Sequence, residues 1–275
     1  MPEIPKIKFS EADLKKLEFL LKTLGIKHNS LKKSHLLRRV RVRIMRTGCK
    51  SFDEYYDYIH IHKEERKEFC MAFSINVTRF FRNADTFEFI KQNVLPKIRK
   101  NVGKEETIKI WSAGCADGAE PYTLAILCEQ VNLRPPRVKI LATDFNQESL
   151  LKARCGLYPS EYLNETPADI QHKYFNTKSP DKVQISPHLH DYIDFRLHNL
   201  TSQGVRAPGA RFDLIICRNV LIYFSREQQK EIFQMFYKAL KPQGFMVLGR
   251  TEILHPSYRD KFEVYSSTHR IARLI

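Results

Sequence analysis

The sequence contains no C-x-x-C pair. Its six cysteines, Cys49, Cys70, Cys115, Cys128, Cys155 and Cys217, are scattered, and no histidine stands beside them at metal-ligand spacing. Neither a zinc site nor a disulfide framework is indicated, which leaves reduced, mostly buried thiols and no metal. No run of about 18 uncharged apolar residues occurs, and the opening residues MPEIPKIKFSEADLKKL hold no apolar stretch of signal-peptide length. A soluble, cytoplasmic protein without direct membrane insertion is expected. The full G-x-G-x-x-G fingerprint is missing too: Gly114 and Gly118 are present, but Ala116 stands where the second glycine would be. Acidic residues are absent between Lys27 and Lys50, where nine Lys or Arg residues occur.

With 275 residues and 43% apolar content, the chain can bury one large domain or two smaller ones. A formal net charge of +15 predicts attraction to an acidic partner and does not choose among nucleic acid, anionic membrane and acidic protein. The first 75 residues or so read as helices. Ser10 is the N-cap of one that Gly25 stops. A second runs from about Leu31 to Arg46, a third over Phe52–Ile61 behind the cap Ser51, and a fourth over Lys63–Phe73. On the second, Leu36, Leu37, Val40 and Ile44 share an apolar arc, while Lys32, Arg39, Arg43 and Arg46 share a neighbouring one. This basic stripe reads either as a solvated face or as a docking surface for an acidic partner. It carries no interleaved aromatics and so no specific nucleic-acid signal. Polar and β-branched residues from Ser74 to Arg82 interrupt the helices, and a further helix spans Thr86–Ile98. The expected organisation is a helical domain over 1–75, a junction over 76–106 and an αβ domain over 107–275.

In the αβ half, Ile108, Ile110 and Trp111 read as a buried strand that breaks at Gly114 into a tight turn before a helix. Such a turn brings backbone close to a ligand and aims unpaired N–H groups at it. A second strand, Val138–Ala142, ends at Asp144. An acidic side chain there can take both hydroxyls of a ribose; a plain N-cap aspartate is the other reading. Phe212–Cys217 is a third buried strand, followed by a helix over Arg226–Leu240 and a strand over Phe245–Leu248. Alternating strands and helices argue for a parallel α/β sheet. Between about 157 and 200, prolines punctuate the chain. Val183–Ile185 and Tyr192–Leu197 look like hairpin strands of an inserted β subdomain.

The blocks N-x-T-x-F-F-R (Asn76–Arg82), WSAGCADGAEPYTLA, ATDFN, KARCGLYP, HNL, FDLIICRNVLIYF and LKPQGFMVLGRTE occur in an order that resembles chemotaxis receptor methyltransferases of the CheR type. The resemblance covers nearly the whole chain, including LLRRVRVRIMRTGCKSFDEYYDYI in the helical part. It implies a Rossmann-like S-adenosylmethionine methyltransferase fold and an enzyme, a protein-glutamate O-methyltransferase that esterifies glutamates on the cytoplasmic helical region of methyl-accepting receptors. It further implies that Asn76, Thr78 and Arg82 contact the cofactor, that the Gly114 turn holds it, and that Glu120 and Asp144 meet its amino group and ribose. Asn199 and Leu200 flank the adenine, Cys217, Arg218 and Asn219 line the pocket, and Tyr223 falls beside the transferable methyl. Arg82 and Tyr223 are the implied catalytic pair, and the stripe Lys32, Arg39, Arg43 and Arg46 becomes the receptor-docking candidate.

Three departures from the family pattern stand out. Asp117 and Ala119 replace other residues in the turn, and Arg250 stands in Gly249-Arg250-Thr251-Glu252 where the family usually has histidine. The segment from Asn176 to Lys182 is short and lacks glycine, which implies recognition without a C-terminal pentapeptide tether. Two other classes remain open: a nucleic-acid methyltransferase, against which the absence of an N-P-P-Y or D-P-P-Y motif counts, and a cofactor-binding adaptor that has lost transfer.

Overall fold

The computed structural model describes residue 7 and residues 9–24, 33–73, 78–103, 106–201, 206–209 and 211–275. The expected stop at Gly25, the candidate Lys32 and the candidate Asn76 lie outside these residues. The chain divides into two compact units, residues 1–76 with Tyr223–Ser225, and residues 77–222 with 226–275.

The first unit is built from α1 (Glu11–Thr23), α2 (Lys33–Thr47), α3 (Phe52–Ile61) and α4 (Lys63–Phe73). Ser10 caps α1 in a reciprocal box with Asp13, and Ser51 accepts from Glu54 N at the start of α3, satisfying donors that a bare helix end leaves open. Leu17, Leu20 and Leu21 of α1 recur at helical spacing and meet Val40 and Ile44 of α2 and Phe52, Tyr55 and Ile59 of α3 in one core.

The second unit begins with α5 (Ala84–Phe89), a π-helical turn over Ile90–Val94 and α6 (Leu95–Asn101). Pro96 lacks an N–H, and the ladder opens into the π turn just before it. There follow β1 (Ile108–Ala113), α7 (Ala119–Gln130), β2 (Val138–Asp144), α8 (Gln147–Cys155), β3 (Leu157–Pro159), α9 (Ala168–Tyr174), β4 (Phe175–Ser179), β5 (Lys182–Ile185) and β6 (Ile193–Leu197). The remainder is β7 (Phe212–Cys217), α10 (Arg226–Ala239), β8 (Leu240–Leu248), β9 (Phe262–Ser266) and β10 (Ile271–Leu274). Seven strands form one sheet in the order β6-β2-β1-β7-β8-β10-β9. The pairs β6–β2–β1–β7–β8 are parallel, and β10 runs antiparallel to both its neighbours, so the sheet is mixed. The central strands β1 and β7 are the most buried, consistent with cover on both faces. The chain order reverses across β1, and ligands bind at such switch points outside the carboxyl ends of parallel strands.

The β subdomain is the three-stranded sheet β3-β5-β4. Tyr192–Leu197 does not belong to it. Most of that stretch is β6, which pairs in parallel with β2 at the edge of the main sheet, Ala142 opposite Phe195. Ile193 and Phe195 alternate with Asp194 and Arg196, a pattern shared by a hairpin strand and a half-covered edge strand, and only the distant partner decides between them.

Candidate active site

The carboxyl ends of β1, β2 and β7 bring three polar loops together. After β1 the chain turns through Gly114 (φ +80°), Ala116 (φ +53°) and Gly118 (φ +93°) into α7. A Cβ at Gly114 would lie 2.5 Å from Val220 Cγ2 on the loop after β7, so this position is closed to any side chain. Asp144, 4% exposed at the end of β2, accepts from Ala116 N and Asn146 N, both at 2.9 Å, and pins the turn to β2. Burial raises its pKa. Each of its oxygens keeps lone-pair capacity for a hydroxyl donor. Asn199 and Leu200 lie in the turn after β6, beside Asp144 through the hydrogen bond from His198 N to the Asp144 carbonyl at 2.9 Å. The Asn199 side chain accepts from Thr201, and Leu200 is buried.

Glu120 opens α7 with its side chain only 14% exposed. Its Oε1 accepts from the Ser112 hydroxyl at 2.8 Å and its Oε2 lies 3.6 Å from Arg218 Nη1. Burial raises its pKa, and the positive charges of Arg218 and Arg82 together with Ser112 oppose the rise. Arg218 is the centre of the site. Its Nη2 donates to the Arg82 carbonyl at 2.8 Å and to Asn83 Oδ1 at 2.7 Å, and its guanidinium lies 4.9 Å from the centroid of the Phe87 ring. Burial lowers its pKa, and among the described residues its buried Nε has no partner. An unsatisfied, buried guanidinium N–H suits a carboxylate.

The segment carrying Thr78 and Arg82 is fixed from several sides. Phe80 N donates to the Tyr162 carbonyl at 3.1 Å, Phe81 N to Thr123 Oγ1 at 3.2 Å and Asn83 N to Glu165 at 2.9 Å. Phe80 is fully buried and meets Tyr158 and Phe175 edge-on. Phe81 (φ +54°), Asn83 (φ +63°) and Asn219 (φ +59°) are left-handed without being glycine, and they join Ala116 in this region. For non-glycine residues such conformations cost on the order of 1 kcal/mol each and gather at functional sites.

Asp117 is 8% exposed and accepts from the Tyr162 hydroxyl at 2.9 Å through Oδ2, while Oδ1 has no partner among the described residues. Burial pushes its carboxyl up to about 6. Cys217 ends β7 with no exposed surface, and burial holds its thiol well above the ordinary range, which removes it as a nucleophile. Trp111 is fully buried strand core, its Nε1 donating to Thr143 Oγ1 at 2.9 Å. Arg250 forms an exposed pair with Asp85 at 2.6 Å.

Tyr223 ends the short 3-10 turn Leu221–Tyr223 and belongs to the first unit, where the Arg39 guanidinium lies 4.8 Å from its ring centroid. Burial lowers the pKa of Arg39, which is partly covered. Arg46 is exposed. Arg43 corrects the expected stripe: it is 5% exposed, donates from Nε to Glu65 and from Nη1 to Glu68, both at 3.0 Å, and is no surface residue. Its acidic partners come from α4, outside the stretch in which acids are absent. Tyr55 completes the cluster by donating to Glu65 at 2.6 Å.

Sequence reasoning passed over Glu252, a buried carboxylate that accepts backbone N–H groups from the loop after β7. Its only signal was its place in the Gly249–Glu252 block. Thr123, which holds the Arg82 segment, carries no sequence signal beyond lying within the block WSAGCADGAEPYTLA, and Asn83, directly after Arg82, lies outside the blocks altogether.

Among the described residues no three His, Cys, Asp or Glu side chains are grouped to hold a metal ion, and no helix is long and apolar enough to cross a membrane. The family model described as "CheR methyltransferase, SAM binding domain" matches residues 76–271, and "CheR methyltransferase, all-alpha domain" matches residues 15–74. The chain is 32% identical over 246 residues to the chemotaxis protein methyltransferase of Borreliella burgdorferi, covering 86% of each. It is 34% identical over 245 residues to chemotaxis protein methyltransferase 1 of Pseudomonas aeruginosa, covering 86% of this chain and 88% of that one. For the Escherichia coli chemotaxis protein methyltransferase the figures are 32% over 254 residues, 90% and 86%. A helical unit followed by a Rossmann-like sheet, a buried acid at the end of β2, a glycine turn after β1 and these matches agree: the chain belongs to the CheR methyltransferase family.

Proposed function

We propose that the protein transfers a methyl group from S-adenosylmethionine to glutamate side chains of methyl-accepting chemotaxis receptors. The observation that carries the cofactor reading is the paired set of buried charges at the sheet's carboxyl end, with Glu120 and Asp144 as acceptors and Arg218 with a spare Nε as donor. This donor set fits a zwitterionic nucleoside: Asp144 for the ribose hydroxyls, Glu120 for the amino group, Arg218 and Arg82 for the carboxylate. The Gly114 turn, Thr78, Asn199, Leu200, Cys217 and Asn219 complete the pocket; the resemblance adds Asn76, which lies outside the described residues.

The cofactor supplies a methyl group bonded to a positively charged sulfur. A receptor glutamate is ionised at neutral pH, so this chain needs no strong general base. Its residues orient the carboxylate and keep water out, and such positioning supplies most of the acceleration. Arg82 holds the incoming carboxylate loosely enough to leave it nucleophilic. The resemblance assigns Tyr223 to the transferable methyl, where a ring facing a cationic sulfur would contribute about 0.5–2 kcal/mol; within its own unit the ring receives the Arg39 guanidinium.

Docking on the acidic helical receptor is assigned to the charges of α2 that reach solvent. These are Arg46 and the partly covered Arg39, with exposed Lys33 on the same helix; Lys32, the remaining docking candidate, lies outside the described residues. Only Pro180 and Asp181 separate β4 from β5, which supports recognition without a pentapeptide tether.

Purified protein, labelled S-adenosylmethionine and receptor cytoplasmic fragments test the reading. Label retained on receptor as a base-labile ester is expected. Alkali-stable label on RNA or DNA would assign a nucleic-acid methyltransferase, and cofactor binding without transfer to any receptor an adaptor.

A further inference from the structure

Glu252 lies after the carboxyl end of β8, 4% exposed, and its carboxylate is spent entirely on backbone. Oε1 accepts from Val220 N at 2.9 Å, Leu221 N at 2.7 Å and Ile222 N at 3.4 Å, and Oε2 from Asn219 N at 3.0 Å and Gly249 N at 2.6 Å. A single buried anion therefore collects successive N–H groups of the loop that follows β7, together with one from the turn that carries Glu252 itself. Buried carboxylates paired this way hold a loop in one conformation, because each donor left without it would be an orphan in a dry environment. The surroundings are shaped for it. A Cβ at Gly249 would lie 2.6 Å from Glu252 Oε2 and 2.8 Å from Asn219 N, so Gly249 is the gap through which the carboxylate reaches the loop.

The loop so held presses on the cofactor turn. Val220 Cγ2 occupies the space a Cβ would take at Gly114, and Asn219 is left-handed, a conformation that five hydrogen bonds to one carboxylate help to keep. Arg218, the residue before this loop, spans Arg82, Asn83 and Glu120. We infer that Glu252 is a positioning residue of the transferase site: its carboxylate seats Val220 against Gly114 and sets the register of Arg218, so that the turn after β1 and the Arg82 segment are held in the geometry that takes the cofactor. This rests on the proposed cofactor reading. Glu252 touches none of the reacting groups and acts through the loop.

The test compares two buried carboxylates at opposite ends of β7. Asp213, 5% exposed at the start of that strand, accepts from Lys109 N and pairs with Lys241, both at 2.8 Å, far along the strand from Cys217. Glu252→Gln and Asp213→Asn are made in the full chain. S-adenosylmethionine affinity is read by calorimetry, methyl transfer by labelled ester, and melting temperature by circular dichroism. Both variants are expected to melt earlier. Only Glu252→Gln is expected to weaken the cofactor, by about tenfold or more, and to lower kcat besides. Equal affinities in the two variants, at a temperature where both are folded, would overturn the inference. Should Glu252→Gln not fold, Val220→Leu decides: a bulkier side chain against Gly114 is expected to weaken the cofactor at least fivefold, and an unchanged affinity overturns the inference. If the wild-type chain binds no S-adenosylmethionine, the proposed function fails and takes this inference with it; wild-type binding with equal affinities in the two variants overturns the inference alone.

Discussion

Two buried arginines, one in each unit, show how the same side chain serves opposite ends. Arg43 of the helical unit meets Glu65 with two nitrogens and Glu68 with a third, and Tyr55 satisfies the carboxylate from the other side. The hydrogen bond to Glu65 raises the pKa of Arg43. Arg218 of the αβ unit is as deeply buried, yet its nearest carboxylate, Glu120, stands at 3.6 Å, its best partners are neutral oxygens, and burial lowers its pKa. A charge whose partners are all internal belongs to the scaffold. One that keeps an open N–H in a dry site is arranged for something that arrives from outside.

The largest expected effect comes from breaking the satisfied pair. Arg43→Met leaves Glu65 charged and buried and should cost about 3–5 kcal/mol of stability by urea unfolding. Cofactor affinity should be unaltered, and Arg43→Met with Glu65→Met should recover much of the loss. A loss of cofactor binding in the folded single variant would abolish the contrast. Next comes Arg218→Lys, which keeps the charge and removes the fork that meets Arg82 and Asn83. Melting should fall through the two lost internal hydrogen bonds, and cofactor affinity should fall besides, about tenfold, through the lost Nε donor, so that transfer drops by more than the melting shift accounts for. A mainly thermal effect would place Arg218 with Arg43 in the scaffold.

Asp117 sharpens the comparison with an anion. Its carboxyl titrates at about 6 in the folded chain, against roughly 4 in the unfolded one. Between about pH 4 and 6 the folded chain holds the extra proton, so stability falls as pH rises through that window and stays lowered above it. Asp117→Asn should therefore gain on the order of 2 kcal/mol at pH 7.5 and nothing below about pH 4. Melting curves that shift equally at every pH would contradict this. The smallest effect belongs to an exposed charge: Arg46→Ala should raise KM for receptor only about two- to threefold at low salt, and the difference should vanish near 1 M salt. A salt-independent change would point to packing instead.

What the sequence makes legible and what it conceals follow from the range of the interactions. The strand, turn and helix around Gly114 show in local alternation and a glycine, and the buried acid Asp144 ends its strand where the pattern puts it. Charge along α2 alone places Arg43 in a surface stripe, whereas Glu65 and Glu68 arrive from α4 and bury it. β6 misled because an edge strand and a hairpin strand share one pattern and differ only in a partner some 50 residues away. Glu252 stayed hidden for another reason: its partners are main-chain N–H groups, which every residue but proline has and which leave no mark in composition.

Of the eight non-glycine residues in left-handed backbone among the described residues, four are Asn132, Arg211, Gln243 and Arg270, and the other four, Phe81, Asn83, Ala116 and Asn219, sit on the loops that meet around Arg218 and Gly114. At about 1 kcal/mol apiece they set aside on the order of 4 kcal/mol that the sheet must carry. Local opening should therefore start in these loops while the strands beneath remain closed. In amide hydrogen exchange, Phe81 and Asn219, whose N–H groups donate to Thr123 and Glu252, should exchange only when these loops open, ahead of the amides of β8 and β10, and S-adenosylmethionine should slow them more than those strand amides.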